Sequence, residues 1–183
     1  MSIANVVVLV GPSGVGKDTL IDLIVANTDY CRFPAHTTRT ARAGEINGVH
    51  YNFISHSRFQ ILFDNGSLLE CFEVEGNFYS LSLDDLKTAQ ANGRKMITHL
   101  SVEGIIKLKE SGIQVTSVWI RPPYPDSTKK RLQKRGLSEE EIATRINHKS
   151  KEEEYEYMFD YQIVNHDQQQ ERVAAEIINV LEV

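Results

Sequence analysis

The feature that most constrains this chain is the stretch from residue 6 to residue 20, VVVLVGPSGVGKDTL. A run of β-branched and apolar residues ends at a glycine, which is typical of a central strand buried on both faces. Further glycines follow at once, and apolar residues then recur at helical spacing (Leu20, Ile21, Ile24, Val25). The stretch predicts a strand, a tight turn and a helix, the opening unit of an α/β fold.

The rest of the chain continues this alternation of strands and helices. Core strands are predicted at residues 95–100, 115–120 and 161–164, with helices at 102–110 and 168–181. The pattern favours a doubly wound parallel sheet in a single domain of 183 residues. We divide that domain into a core (1–32, 94–125 and 159–183), a strand-rich insert (33–93) and a lid region (126–158).

The insert and the lid are predicted in less detail. In the insert, the pattern indicates short helices at 55–63 and 83–90 around paired strands at 67–74 and 76–81. In the lid it indicates two helices, 127–134 and 139–158.

Composition narrows the class of protein. The net charge of −5 argues against nonspecific binding to nucleic acid or to an anionic membrane. The two cysteines have no metal-ligand spacing, which favours free thiols. The apolar N-terminal run is too short to span a bilayer and has no targeting features. We therefore expect a cytoplasmic protein, monomeric or homodimeric, without a membrane or nucleic-acid partner.

The glycine-rich turn matches the pattern G-x-x-x-x-G-K as GPSGVGK, residues 11–17. Glycines allow successive backbone N–H groups to point at phosphate oxygens, and the following helix adds the positive end of its dipole. Lys17 can reach the β- and γ-phosphates of a nucleoside triphosphate. The residues predicted to bind that triphosphate are Gly11, Ser13, Gly14, Val15, Gly16, Lys17, Asp18 and Thr19.

Asp18 stands where this pattern usually has a serine or threonine that ligates Mg²⁺. A carboxylate beside polyphosphate is unfavourable unless a cation lies between them. We therefore expect Asp18 to contact Mg²⁺ directly or through water, with help from Thr19. The alternative is that Asp18 merely stabilises the first turn of the helix through its dipole.

A second phosphate site is indicated by HTTRTARAGEINGVHYNF, residues 36–53. Arg39 and Arg42 lie three residues apart, and Tyr51 follows after a turn. Two guanidinium groups and a phenol can clamp one phosphate, since arginine forms planar bidentate hydrogen bonds. A solvated basic turn is the alternative interpretation of the same residues.

In this order and spacing the two segments resemble the guanylate kinase family, and the resemblance extends along nearly the whole chain. LLECFEVEGNFY is similar to the family segment that carries a base-reading acid and a phosphate-binding tyrosine. KKRLQKRG and EIATRI are similar to its lid arginines, and FDYQIVN to its final strand. The resemblance implies a P-loop NTPase fold and phosphoryl transfer from Mg-ATP to GMP or dGMP.

The resemblance also implies roles for residues in the insert. Arg39, Arg42, Tyr51 and Tyr79 are expected to hold the acceptor phosphate. Glu70 is expected to accept hydrogen bonds from the N1–H and 2-amino groups of guanine.

On the donor side, the resemblance implies that Lys17 acts together with three lid arginines, Arg131, Arg135 and Arg145. Asn165 matches a family position near the donor nucleotide. For each lid arginine, a surface ion pair with nearby glutamates is the alternative.

Four positions of the expected acceptor pocket depart from the family pattern. Ala35 and Leu81 stand where the family has hydroxyl groups that meet guanine O6, and His99 and Ser101 stand where it has aspartates. His36 or His99 is a candidate replacement donor. Loss of polar partners lowers discrimination between bases, so another monophosphate, or ribose 1,5-bisphosphate, is an alternative acceptor. A non-catalytic binding module with this fold is a further alternative.

The departure at His99 and the earlier one at Asp18 together suggest a paired change. A carboxylate is missing at His99 and a new one appears at Asp18, which suggests that one metal-associated charge has moved from the strand end to the loop.

Overall fold

The computed structural model describes residues 5–42, 44–69, 71–74, 76–134, 136–144 and 153–182. Residues 139–144 are helical. The other elements, in chain order, are β1 (Val6–Val10), α1 (Lys17–Asn27), β2 (Cys31–Arg32), β3 (Ala35–Thr37), β4 (Tyr51–Phe53), α2 (His56–Asp64), β5 (Phe72–Val74), β6 (Asn77–Ser80), α3 (Leu83–Ala91), β7 (Met96–His99), α4 (Val102–Glu110), β8 (Thr116–Arg121), α5 (Ser127–Lys134), a 3₁₀ helix (Glu153–Met158), β9 (Tyr161–Val164) and α6 (Gln170–Leu181).

The main sheet has five strands in the order β2-β7-β1-β8-β9. Every neighbouring pair in it is parallel. The predicted doubly wound parallel sheet is therefore confirmed. β1 lies at the centre, as its unbroken run of buried apolar residues predicts.

The two faces of β1 are covered by different helices, because successive side chains of a strand point to opposite faces. Val7 and Leu9 pack with side chains of α1 and α6. Val6, Val8 and Val10 pack with side chains of α3 and α4. The result is a three-layer arrangement in which the central strand is fully enclosed.

The insert contains a second sheet, with strand order β4-β3-β6-β5. β3 pairs in parallel with β4 and in antiparallel with β6. α2 packs on this sheet through Phe59, whose ring stacks on Phe78 with 5.5 Å between centroids. The chain thus leaves the main sheet after β2 and rejoins it at β7.

Two elements are shorter than predicted. The strand expected at 67–74 contains only Phe72–Val74 among the described residues, and Leu68 forms an isolated bridge to Ser82. The end of the helix expected at 139–158 is a 3₁₀ helix, Glu153–Met158. There the chain turns to enter β9, and Phe159 stacks on Trp119 with 5.1 Å between centroids.

In the part of the chain that the structure describes, every helix is too short or too polar to cross a membrane.

Candidate functional site

The glycine-rich loop lies at the carboxyl end of β1, where the parallel strands of the main sheet end together. This edge is the usual place for ligands in open α/β sheets. Gly14 and Gly16 have φ angles of +79° and +103°, which only glycine adopts readily. The Lys17 ammonium group folds across the loop and donates to the carbonyl oxygens of Gly11 and Pro12. The predicted loop residues therefore lie together between the end of β1 and the first turn of α1.

Two side chains, those of Asn165 and Arg131, donate hydrogen bonds to the backbone of the loop. The Asn165 Nδ2 group donates to the Val15 carbonyl at 2.7 Å, and Arg131 Nη1 donates to the same oxygen at 2.7 Å. A Cβ atom on Gly16 would lie 2.6 Å from Asn165 Nδ2 and would displace that side chain, and the φ of +103° is strained for any other residue. Asn165 was expected near the donor nucleotide, and the structure places it directly against the loop.

Arg131 is held in place by further contacts. Its Nη2 donates to the Asn165 carbonyl at 2.8 Å, and its Nε and Nη2 pair with the Asp167 carboxylate at 3.0 and 2.8 Å. Its side chain is 17% exposed. In the structure Arg131 thus braces the loop, α5 and the residues after β9, a role that sequence reasoning missed.

Asp18 lies at the start of α1 in contact with two basic side chains. Arg32 Nη1 donates to Asp18 Oδ1 at 3.0 Å, and His99 Nε2 lies 3.4 Å from the same oxygen. The hydrogen bond from His99 and the Arg32 guanidinium hold the pKa of Asp18 well below its usual range, although partial burial opposes the shift. The carboxylate is therefore ionised at neutral pH. The structure brings together Asp18 and His99, the two positions of the suggested paired change.

The suggested metal ligand fits a cation on chemical grounds. The Asp18 carboxylate is ionised, and its side chain is 60% exposed. Arg32 and His99 both contact Oδ1 of this carboxylate. The described residues contain no group of three or more His, Cys, Asp or Glu side chains that would hold a metal by themselves. Mg²⁺ typically keeps waters and binds one or two carboxylates plus substrate phosphates, which matches a single carboxylate here.

Side chains expected to form the acceptor clamp lie on one face of the insert sheet. Ala35 is the register partner of Tyr51, and Thr37 is the partner of both Phe53 and Tyr79. The Tyr51 and Tyr79 rings meet edge to face, with 6.0 Å between centroids. The Arg39 guanidinium lies 5.5 Å from the Tyr51 ring centroid and 5.7 Å from that of Phe53. The structure thus brings together three of the four expected phosphate-binding side chains.

Arg42, the fourth expected clamp residue, is exposed beside this group. Its backbone N–H donates to Glu45 Oε2 at 2.6 Å.

Glu45 organises the clamp and was missed by sequence reasoning. Its two carboxylate oxygens accept from Arg39 Nη1 and Nη2 at 2.9 and 2.8 Å, in a bidentate pair. These bonds from Arg39 lower the pKa of Glu45 to about 2. The only signal in the sequence is its place in the turn, three residues after Arg42.

The clamp and the Asp18 group lie within electrostatic reach of each other. Burial raises the pKa of Tyr51, and the negative charge of Asp18 raises it further. The Tyr51 hydroxyl is therefore close enough to Asp18 to be influenced by its charge.

Three residues that were expected in the acceptor pocket, Leu81, Ala35 and Ser101, lie in different surroundings. Leu81 is 1% exposed and belongs to the core cluster that contains Val6 and Leu86. The expectation that Leu81 contacts the acceptor is therefore corrected: its side chain packs in the core. Ala35 packs partly against the same cluster. Ser101 caps α4, since its hydroxyl accepts from the Gly104 N–H at 3.0 Å.

His36 points away from the clamp, because it alternates with Ala35 and Thr37 along β3. It lines a cavity of about 510 Å³ on the other side of the insert sheet, together with Arg58 and Asp85. Burial lowers the pKa of His36. His36 is thus not a replacement donor on the clamp face.

Three predicted site residues, Glu70, Arg135 and Arg145, lie outside the described residues.

Comparison with known proteins adds independent information. The family model described as "Guanylate kinase" matches residues 3–181. The guanylate kinase of Synechococcus sp. (strain CC9311) is 37% identical over 168 residues, covering 91% of this chain and 88% of that protein. The guanylate kinase of Neisseria meningitidis serogroup A is 34% identical over 165 residues, covering 89% of this chain and 80% of that protein. The crystal structure of guanylate kinase from Anaplasma phagocytophilum matches with a TM-score of 0.73 and 28% identity, covering 99% of this chain and 86% of that chain.

The Arg39–Glu45 pair predicts a pH dependence of stability. Its contribution is fully present above the unfolded pKa of Glu45, about 4.5, and is lost as the pH falls towards 2. Glu45→Gln should cost about 1 kcal/mol at pH 6 and clearly less at pH 3, measured by urea unfolding. Glu176→Gln, on the exposed side of α6, should change stability by less than about 0.5 kcal/mol at either pH. An equal cost of Glu45→Gln at both pH values would contradict the prediction.

Proposed function

The chain belongs to the guanylate kinase family, and from this premise we propose how its residues carry out the reaction. It is a nucleoside monophosphate kinase that uses ATP to phosphorylate GMP to GDP. The observation that supports the assignment of roles is the grouping of the expected side chains. Arg39, Tyr51 and Tyr79 lie together on the insert sheet, and Tyr51 is close enough to Asp18, beside Lys17, to be influenced by its charge.

The donor side is proposed to bind the phosphates of ATP. The N–H groups of the loop and the start of α1 point at the phosphate oxygens, and Lys17 exchanges its loop carbonyl partners for the β- and γ-phosphates. Arg131 and Asn165 keep the loop in shape through the Val15 carbonyl. Arg131 is therefore proposed to act mainly through the loop.

The acceptor side is proposed to hold GMP by its phosphate. Arg39 presents its guanidinium plane beside Tyr51, and Glu45 fixes that plane in orientation. Arg42 and Tyr79 complete the group around the phosphate. Glu70 is proposed to accept hydrogen bonds from the guanine N1–H and 2-amino groups, which would give specificity at the base edge.

The chemical step needs no covalent enzyme intermediate. An oxygen of the acceptor phosphate attacks the γ-phosphorus of ATP in line, and catalysis consists of positioning and of neutralising charge on the transferring group. When bound, Mg²⁺ supplies charge neutralisation between the phosphates, and Asp18 is proposed to hold it directly or through water. Arg135 and Arg145 are proposed to close over the phosphates from the lid, which would exclude water as a competing acceptor.

A phosphotransfer screen tests the assignment of the acceptor. With Mg-ATP, we expect GMP and dGMP to react fastest among GMP, dGMP, IMP, AMP, pyrimidine monophosphates and ribose 1,5-bisphosphate. IMP keeps the N1–H group but lacks the 2-amino group, so Glu70 would lose one of its two hydrogen bonds and kcat/KM should be at least about 100-fold lower. Fastest reaction with ribose 1,5-bisphosphate would overturn the guanine assignment. A failure to bind ATP at all would instead indicate a non-catalytic module.

The clamp predicts a selective effect of Arg39→Ala. Loss of a charge-assisted contact with the acceptor phosphate should raise KM for GMP by about 30- to 100-fold, with KM for ATP changed less than about threefold. Arg58→Ala, in the same insert but beside the rear cavity, is the matched control and should leave both constants within about twofold. Equal effects of Arg39→Ala on GMP and ATP would rule out this role.

The metal role of Asp18 predicts a change in Mg²⁺ dependence. Asp18→Asn should raise the Mg²⁺ concentration for half-maximal turnover by about fivefold or more, because a carboxylate ligand becomes a neutral amide. Asp22→Asn, one turn along α1 and also paired with Arg32, should leave the Mg²⁺ titration unchanged. An unaltered titration in Asp18→Asn would remove Asp18 from the metal site and favour the helix-dipole alternative.

A further inference from the structure

Arg32, which has no role in the proposed reaction, donates three hydrogen bonds to residues of α1. It ends β2, the edge strand of the main sheet. Its Nη1 pairs with Asp18 Oδ1 at 3.0 Å, and its Nη2 donates to the Asp18 carbonyl at 3.2 Å and to Asp22 Oδ1 at 2.8 Å. The side chain is only 15% exposed. One guanidinium thus holds both carboxylates of the first turns of α1.

The position of Asp18 creates an electrostatic conflict. Its carboxylate follows Lys17 directly, at a helix N-terminus whose N–H groups and dipole attract anions. An ionised carboxylate at that point repels the phosphate groups that the loop is built to bind. A neighbouring positive charge that stays in place would offset this repulsion.

Arg32 meets that requirement. Arginine is always charged, and it forms a rigid planar fork that fixes the carboxylate it binds. Although burial opposes the charge, the hydrogen bond and the charge of Asp18 outweigh it and raise the pKa of Arg32. Because β2 and β7 are neighbours in the sheet, Arg32 and His99 approach Asp18 from adjacent strands and share its Oδ1. These two contacts restrict rotation of the Asp18 carboxylate.

We infer that Arg32 is a positioning residue of the phosphate loop, which holds the Asp18 carboxylate and offsets its charge so that a polyphosphate can bind beside it. The inference rests on the donor site of the proposed function, and it does not depend on the identity of the acceptor. It also holds whether or not Asp18 ligates the metal, because it concerns the free energy of placing an anion next to an anion.

A double-mutant cycle on ATP binding without metal tests this inference. Binding of ATP is measured by titration calorimetry in EDTA, with the full chain and no acceptor. Arg32→Gln should weaken binding about tenfold, because Asp18 then keeps only its contact with His99 and most of its negative charge is no longer offset. Asp18→Asn combined with Arg32→Gln should restore the affinity to within about threefold of the unmodified chain. Lys95→Gln removes the same charge from a surface pair with Asp29 and should change binding less than twofold.

The cycle has clear contrary outcomes. If Arg32→Gln binds ATP within twofold of the unmodified chain, Arg32 has no such role. If the double variant binds as weakly as Arg32→Gln alone, the guanidinium contacts phosphate itself or supports the loop, and the inference fails. Recovery of ATP affinity while the melting temperature stays low separates the electrostatic effect from a merely structural one. Absence of GMP phosphorylation would overturn the acceptor assignment but would leave the binding cycle intact.

Discussion

The parallel pairing of β1 between β7 and β8 is the constraint on which the rest of the molecule depends. It buries five consecutive apolar residues and leaves the chain, at Gly11, at an edge where the strands of the main sheet end together. A Cβ on Gly11 would lie 2.4 Å from the Ile120 carbonyl oxygen, so the loop can begin only with glycine. Because the neighbouring strands end at the same edge, His99 and Asn165 are carried to the loop along with it.

Charge at this edge is organised in pairs. Lys17 and the loop N–H groups provide a positive surface. Two carboxylates are bound by arginine: Asp18, beside Lys17, by Arg32, and Glu45, in the insert, by Arg39. The two pairs differ in purpose. Glu45 orients an arginine that is itself proposed to bind phosphate, whereas Arg32 restrains a carboxylate that would otherwise repel it. Both follow from the same rule that a charge in a partly dry cleft needs a fixed partner.

The alternation of side chains along β3 decides which of its residues lie on the same face as Tyr51. Ala35 shares a face with Tyr51 and offers no polar group, while His36 points to the rear cavity. The side chain of Leu81 is buried in the core. Specificity for guanine in this chain is therefore proposed to rest more heavily on Glu70 and on the phosphate clamp than on hydroxyl donors at the base.

Local sequence determined the phosphate loop, the order of strands and helices, and the Arg39–Tyr51 clamp. These features depend on residue spacing and on glycine conformation, which are readable over short stretches. The tertiary structure decided the partners. Arg131 reaches the Val15 carbonyl across 116 residues, which no local pattern specifies.

The other contacts that only the tertiary structure specifies also join residues on different strands and helices. Arg32 lies 14 residues after Asp18 and contacts it from the end of β2, which lies beside β7. His99 contacts Asp18 from the end of β7. The family resemblance implies an acceptor-pocket position for Leu81, but its side chain packs in the core. Sequence thus specified which chemical groups are present near the loop, and the order of strands in the sheet determined which of them touch.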